Sequence, residues 1–137
     1  MSNKSQGTAF EREFAEKLAD YGFWAHCMKD NQNGQPFDVI AARDGNTYVF
    51  DCKDCQSNLF RLSRVEENQH NAMKLWRETG NKPGLFAVRM REEVYLICHD
   101  VLVYIEKQGK TSMSHDDVVS IGYPFDHWLD MRLSKCR

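Results

Sequence analysis

Two short runs of alternating apolar and polar residues, 37–42 and 47–53, flank the turn signature Asp44-Gly45-Asn46. This pattern constrains the fold more than any other part of the chain. A period of two marks a strand with one buried face, and Asp-Gly between two such runs is a strong hairpin signal. The two runs are therefore expected to pair antiparallel. Because successive side chains on a strand point to opposite faces, Asp51 and Lys53 share a face, and Asp38 on the neighbouring strand can lie beside them. The spacing Asp38, twelve residues, then Asp51-Cys52-Lys53 thus gathers two carboxylates and an ammonium into one patch.

Hard carboxylate oxygens suit Mg2+ or Mn2+, with phosphate and water completing the octahedron. The lysine cannot ligate such an ion, but its charge can stabilise negative charge growing on phosphorus or orient an attacking water. The patch reads as the site of a metal-dependent nuclease. A salt-bridged hairpin without activity would carry the same string.

Residues 9–21 have helical periodicity, begin after Gly7 or Thr8, and stop at Gly22. At about 100° per residue, Phe10, Phe14, Leu18 and Tyr21 form an apolar stripe with Glu11 at its edge, while Glu13, Glu16 and Asp20 fall opposite. A carboxylate turned toward a sheet is costly unless a cation compensates it. Glu11 is therefore the candidate third acid, with a salt bridge to Lys53 or an arginine as the plainer alternative.

Taken together, Gly7-Thr8-Ala9-Phe10-Glu11-Arg12, a strand at residues 23–29, Pro36-Phe37-Asp38 and Asp51-Cys52-Lys53 resemble the PD-(D/E)XK nuclease superfamily, and within it the Holliday-junction resolvases. The later segments Asn68-Gln69-His70-Asn71-Ala72-Met73, Gly84-Leu85-Phe86-Ala87-Val88, Val94-Tyr95-Leu96 and Ser120-Ile121-Gly122-Tyr123-Pro124 resemble the RecU-type branch. The resemblance implies an α/β fold of restriction-endonuclease type and a structure-selective endodeoxyribonuclease that resolves junctions in recombination or phage-type DNA processing. It implies Asp38, Asp51, Glu11 and the backbone carbonyl of Cys52 as metal ligands, Lys53 as the catalytic lysine, and Gln69 as a helix glutamine at the site. It further implies Mg2+ or Mn2+ as cofactor, branched DNA as partner, a homodimer that cuts two strands, and a cytoplasmic setting in a bacterial cell or phage-infected host. The acid of the D-x-K triplet is aspartate where resolvases more often carry glutamate. Residues 30–35 form a short polar connection where RecU-type enzymes have a long projection, which keeps open a nuclease for flaps, ends or duplex, or a DNA-binding module that does not cut.

A chain of 137 residues with 42% hydrophobic content is expected to form one domain, 1–137, with a central mixed sheet flanked by helices. No apolar run is long enough to cross a bilayer, and the polar start does not read as a signal peptide. Five cysteines without regular spacing are not a disulfide framework, and Cys52-x-x-Cys55 has no second ligand pair at zinc spacing. Cys52 is expected to pack under the sheet. A net charge of −2 gives no bulk attraction to a polyanion, so DNA contact must be local, with Arg61, Arg64 and Lys74 as candidates beside Arg77 and Lys82. These also read as an ordinary solvated helix face.

Ser63-Arg64-Val65-Glu66 has capping-box spacing, predicting a helix from about Arg64 to Glu78. Strands are expected at 85–90 and 94–98, then a short helix capped by Asp100 whose Val101, Leu102, Tyr104 and Ile105 cover the sheet. Residues 110–117 read as a polar loop and 125–133 as a last helix. Leu102, Trp128, Phe23 and Trp24 are the candidates for a subunit interface. His70, beside Gln69, is the histidine nearest the site, with an exposed or capping role the plainer reading.

Overall fold

A computed structural model describes residues 3–28 and 36–134. The hairpin is its organising element. Strand β2 (Val39–Arg43) pairs antiparallel with β3 (Asn46–Asp54), Arg43 facing Asn46 across a two-residue turn. Asp44 and Gly45 both take positive φ, 54° and 80°, the backbone a type I′ turn requires. Strand β1 (Trp24–Cys27) lies antiparallel on the outer side of β2. The polar connection expected at 30–35 lies outside the described residues.

Beyond β3 the chain makes a short strand β4 (Leu59–Arg61), a 3-10 turn (Leu62–Arg64) and helix α2 (Glu67–Glu78). It returns as β5 (Leu85–Met90), parallel to β3. A parallel neighbour requires such a crossover. Strand β6 (Glu93–Cys98) then pairs antiparallel with β5, followed by α3 (His99–Lys107), β7 (Ser112–Ser114), α4 (His115–Ile121), β8 (Tyr123–Pro124) and α5 (Phe125–Ser134). The main sheet has six strands in the order β1-β2-β3-β5-β6-β8, and β4 with β7 makes a second, two-stranded sheet.

Helix α1 (Asn3–Asp20) and α5 cover one face of the main sheet. Phe10, Phe14, Leu18, Phe50, Phe125 and Trp128 form the core there. On the other face, Met73 of α2 and Leu102 and Ile105 of α3 pack on Phe86, Val88 and Ile97. A Cβ on Gly84 would stand 1.9 Å from the Met73 sulfur, so α2 seats this low on the sheet only over a glycine.

Several expectations are corrected. Gly7 and Thr8 lie inside α1, which starts at Asn3: one internal glycine costs a helix only about 1 kcal/mol. Tyr21 falls beyond the helix end and is 42% exposed. Helix α2 starts at Glu67, since extended Val65 (φ −86°, ψ 107°) is drawn into the core at 5% exposure. Cys98, not Asp100, occupies the cap position of α3, and Asp100 sits in its first turn. Of the four apolar residues expected under α3, Leu102 and Ile105 are buried while Val101 and Tyr104 point outward. The polar loop at 110–117 contains β7 and the start of α4, capped by Ser114 with Asp117 in reciprocal hydrogen bonds. Of the interface candidates, Leu102, Trp128 and Phe23 are buried within the chain, whereas Trp24 is 62% exposed.

Candidate active site

Strand alternation decides which side chains meet. Phe50 and Cys52 pack toward α1, so Asp51 and Lys53 point to the face carrying α2. Asp38 precedes β2, and its backbone extends the ladder on both sides, donating to the Phe50 carbonyl and accepting from the Met28 amide, each at 2.9 Å. Its Oδ2 also accepts from the Cys52 amide at 2.7 Å. The carboxylate is thereby fixed against β3 between Asp51 and Lys53.

Asp51 is 2% exposed and Lys53 7%. The Lys53 ammonium stands 3.3 Å from Asp51 Oδ1 and donates to Gln69 Oε1 at 3.2 Å. That same oxygen accepts from the Glu66 amide at 2.9 Å, so Gln69 closes the first turn of α2 and holds Lys53 with one atom. Neither Asp51 oxygen has a well-aligned hydrogen-bond partner. Desolvation pushes the Asp51 carboxyl up to about 8; Lys53 opposes this and the adjoining Asp38 adds to it. Burying a carboxylate such as Asp51 is costly unless positive charge compensates it.

A divalent cation would supply such charge. The donor set is hard oxygen: two carboxylates, with the Cys52 carbonyl in the chain between Asp51 and Lys53. Glu11, half-buried on α1, belongs to the same neighbourhood. The Cys52 thiol is raised well above its ordinary range by burial, then by Asp38, Asp51 and Glu11, and Cys27 Sγ lies 3.5 Å from the Glu11 carbonyl. Even so, among the described residues no three His, Cys, Asp or Glu side chains form a metal cage. Glu11 stands near the pair without completing it.

The remaining expected residues take different positions. Arg64, exposed, donates to the Asp54 carbonyl at 3.1 Å and to Cys55 Sγ at 3.3 Å, just past Lys53. Arg61 is exposed on β4, and Lys74 is exposed on α2 beyond Gln69. Cys52 and Cys55 pack in cores on opposite faces of the sheet, so they share no zinc site. His70 is half-buried, its Nδ1 3.0 Å from His99 Nε2 and its Nε2 3.3 Å from Glu106 Oε1.

Two features escaped the sequence reading. Arg89 binds Asp54 through Nε and Nη2 at 3.1 and 2.7 Å, reaches Glu13 at 2.6 Å and lies 4.4 Å over the Phe10 ring. It clamps α1 to the sheet beside the site. A charged residue inside the apolar run Leu85-Phe86-Ala87-Val88-Arg89-Met90 was the available signal. Buried His99 had none, because its partner is 29 positions away.

The sequence matches the family described as archaeal Holliday junction resolvase (Hjc) over residues 2–135. A solved structure of Archaeoglobus fulgidus Hjc, described as a Holliday junction resolvase from an archaeal hyperthermophile, superposes with a TM-score of 0.68 at 16% identity, covering 90% of this chain and 99% of that one. No curated protein sequence matches. The likeness in structure establishes a restriction-endonuclease-like fold. The resolvase resemblance thus stands with Hjc as the branch matched, and the family is archaeal where a bacterial or phage-infected setting was expected.

Proposed function

The chain belongs to the archaeal Holliday junction resolvase family, Hjc, and on that premise we propose that Asp38, Asp51 and the Cys52 carbonyl hold Mg2+ or Mn2+ for cleavage of branched DNA, with Lys53, Gln69 and Glu11 completing the machinery. The family makes this protein a structure-selective, junction-resolving endonuclease, and nucleases of this kind generally use divalent metals. The observation that carries the assignment is buried Asp51, whose Oδ1 lies 3.3 Å from the Lys53 ammonium and whose oxygens make no well-aligned hydrogen bond.

When bound, the cation supplies positive charge against the scissile phosphate and lowers the pKa of a water. The chain's own groups do the rest. Asp38, locked by the Cys52 amide, fixes the donor geometry. Lys53, steadied by Gln69, places its ammonium against charge that grows on the phosphoryl oxygens in the transition state. Glu11 adds negative charge from the α1 side, where it can bind a water of the hydrated ion. Arg61, Arg64 and Lys74 contact the DNA backbone. Junction resolution requires two cuts, and two copies of this chain supply them as a homodimer. No helix among the described residues is long and apolar enough to cross a membrane.

The test is cleavage of a labelled four-way junction beside duplex, flap and single-stranded DNA, in Mg2+, Mn2+ or EDTA. Paired nicks at the junction, absent in EDTA, are expected. Asp38→Asn, Asp51→Asn and Lys53→Ala should each lower the rate by about 10²-fold or more with the fold intact by circular dichroism. Wild-type cutting by either aspartate variant would overturn the assignment.

A further inference from the structure

A cavity of about 740 Å3 lies between α2 and α3, lined by Lys74, Arg77, His70, His99, Asp100 and Lys107 among others. It is not the catalytic patch, but it begins beside it: Gln69 holds Lys53, and His70, the next residue, forms the groove's floor with the buried His99. The walls carry both signs of charge, but the acids are mostly engaged. Asp100 lies 3.5 Å from Arg77, and Glu106 lies 3.3 Å from His70. Among the described residues Lys74 and Lys107 have no acidic partner, and Glu78 is the one wall acid without a basic one. A second cavity of about 440 Å3 adjoins at Glu106 and adds Arg61 and Lys110. Lys110 is paired with Asp117 at 3.1 Å, which leaves Arg61 as the available cation there.

With a net charge of −2, the whole chain does not attract DNA, so unpaired cations grouped in a groove matter more than their number suggests. The position of Lys74 fits a nucleic-acid strand. At about 1.5 Å per residue, it stands about 7.5 Å along α2 from Gln69. A strand of B-DNA rises about 3.4 Å per phosphate, so this corresponds to roughly two nucleotides from the cut.

We propose that the α2–α3 groove binds the sugar–phosphate backbone of a junction arm next to the scissile phosphate, with Lys74 and Lys107 as its phosphate contacts and Arg61 extending the track. This rests on the nuclease reading above and adds to it where the arm leaves the catalytic patch. The ion pairs on the walls pre-order the groove and keep the two lysines available.

The experiment is fluorescence anisotropy of a labelled four-way junction in EDTA, from ~50 to ~200 mM salt, with folding checked by thermal melts. Lys74→Ala/Lys107→Ala should weaken binding by about fivefold or more at ~0.1 M salt and flatten the log–log salt slope by roughly 1.8, about 0.9 per lost phosphate contact. Arg61→Ala alone should flatten it by roughly 0.9. A control of equal net charge, Lys17→Ala/Arg91→Ala, should keep the wild-type slope. The groove is excluded if both groove variants keep the wild-type slope, or if the control loses as much as they do. A wild type that neither binds nor cuts the junction would instead sink the nuclease reading, which separates the two failures.

Discussion

At Asp51, burial and charge oppose each other most strongly. Its carboxyl is pushed up to about 8 from an ordinary value of 3.8, chiefly by desolvation, with Asp38 adding to the effect and Lys53 limiting it. A group whose folded pKa lies above its unfolded one binds its proton more tightly in the native state, so its stabilising contribution is full below about pH 4 and is lost as pH rises through about 8. The metal-free protein should therefore lose melting temperature across that window from this group. Mg2+ or Mn2+ should restore it most at the alkaline end, because binding displaces the proton. Melting curves from pH 5 to 8.5 with and without metal, against Asp51→Asn, check this; a wild type whose metal response has no pH dependence would count against Asp51 as a ligand. At this scale the sequence was informative because strand periodicity converts spacing into adjacency: Asp38, Asp51 and Lys53 meet as their positions require. It was less so for Glu11, where a helical wheel gives direction but not reach, and for the His70–His99 contact, which depends on how two helices cross.

The elements differ in how far local pattern determines them. The hairpin, β5, β6, α2 and α5 follow from alternation, turn residues and amphipathic spacing. Polar composition concealed β7 and α4, because β7 is three residues long and is held by pairing with β4, a partner more than fifty positions away. Helix α1 was legible as a helix, but its attachment to the sheet was not, since Arg89 of β5 joins Glu13 and Phe10 of α1 to Asp54 of β3. The Asp54 side chain is 11% exposed and would be left without its guanidinium partner in Arg89→Ala. Hydrogen bonds to charged groups of this kind contribute about 1.5–3 kcal/mol, so denaturant unfolding should show a loss of about 2 kcal/mol. Arg89→Lys should recover only part of it, because an ammonium cannot make the bidentate contact. Since α1 carries Glu11, cleavage by Arg89→Ala should need more metal for half-maximal rate even at temperatures where the variant is fully folded. Unchanged metal dependence would reduce the clamp to a structural role.

At the scale of the whole molecule, the sequence indicated a mixed α/β sheet and junction resolution, but it could not tell core from interface. Leu102, Trp128, Phe23 and Trp24 looked equivalent as apolar residues, and only packing separates them: the first three are buried in the chain's own cores, while Trp24 lies 62% exposed on the edge strand, stacked with His26 at 6.0 Å. Its strand β1 ends the strand order of the main sheet and pairs with β2. A junction has to be cut on two strands, and in the homodimer proposed above the second Asp38–Asp51–Lys53 patch comes from a second copy. An exposed tryptophan on an edge strand is the kind of surface that such an isologous contact buries. Sedimentation should accordingly give twice the chain's 16.0 kDa. Trp24→Glu should shift the protein toward the single-chain mass and convert paired nicks into single ones, while the catalytic patch, two strands away in the sheet order from β1 to β3, keeps its metal-dependent rate per site. If Trp24→Glu remains dimeric, a different surface joins the copies; if the wild type sediments as one chain and still makes paired cuts, the need for a second copy is wrong.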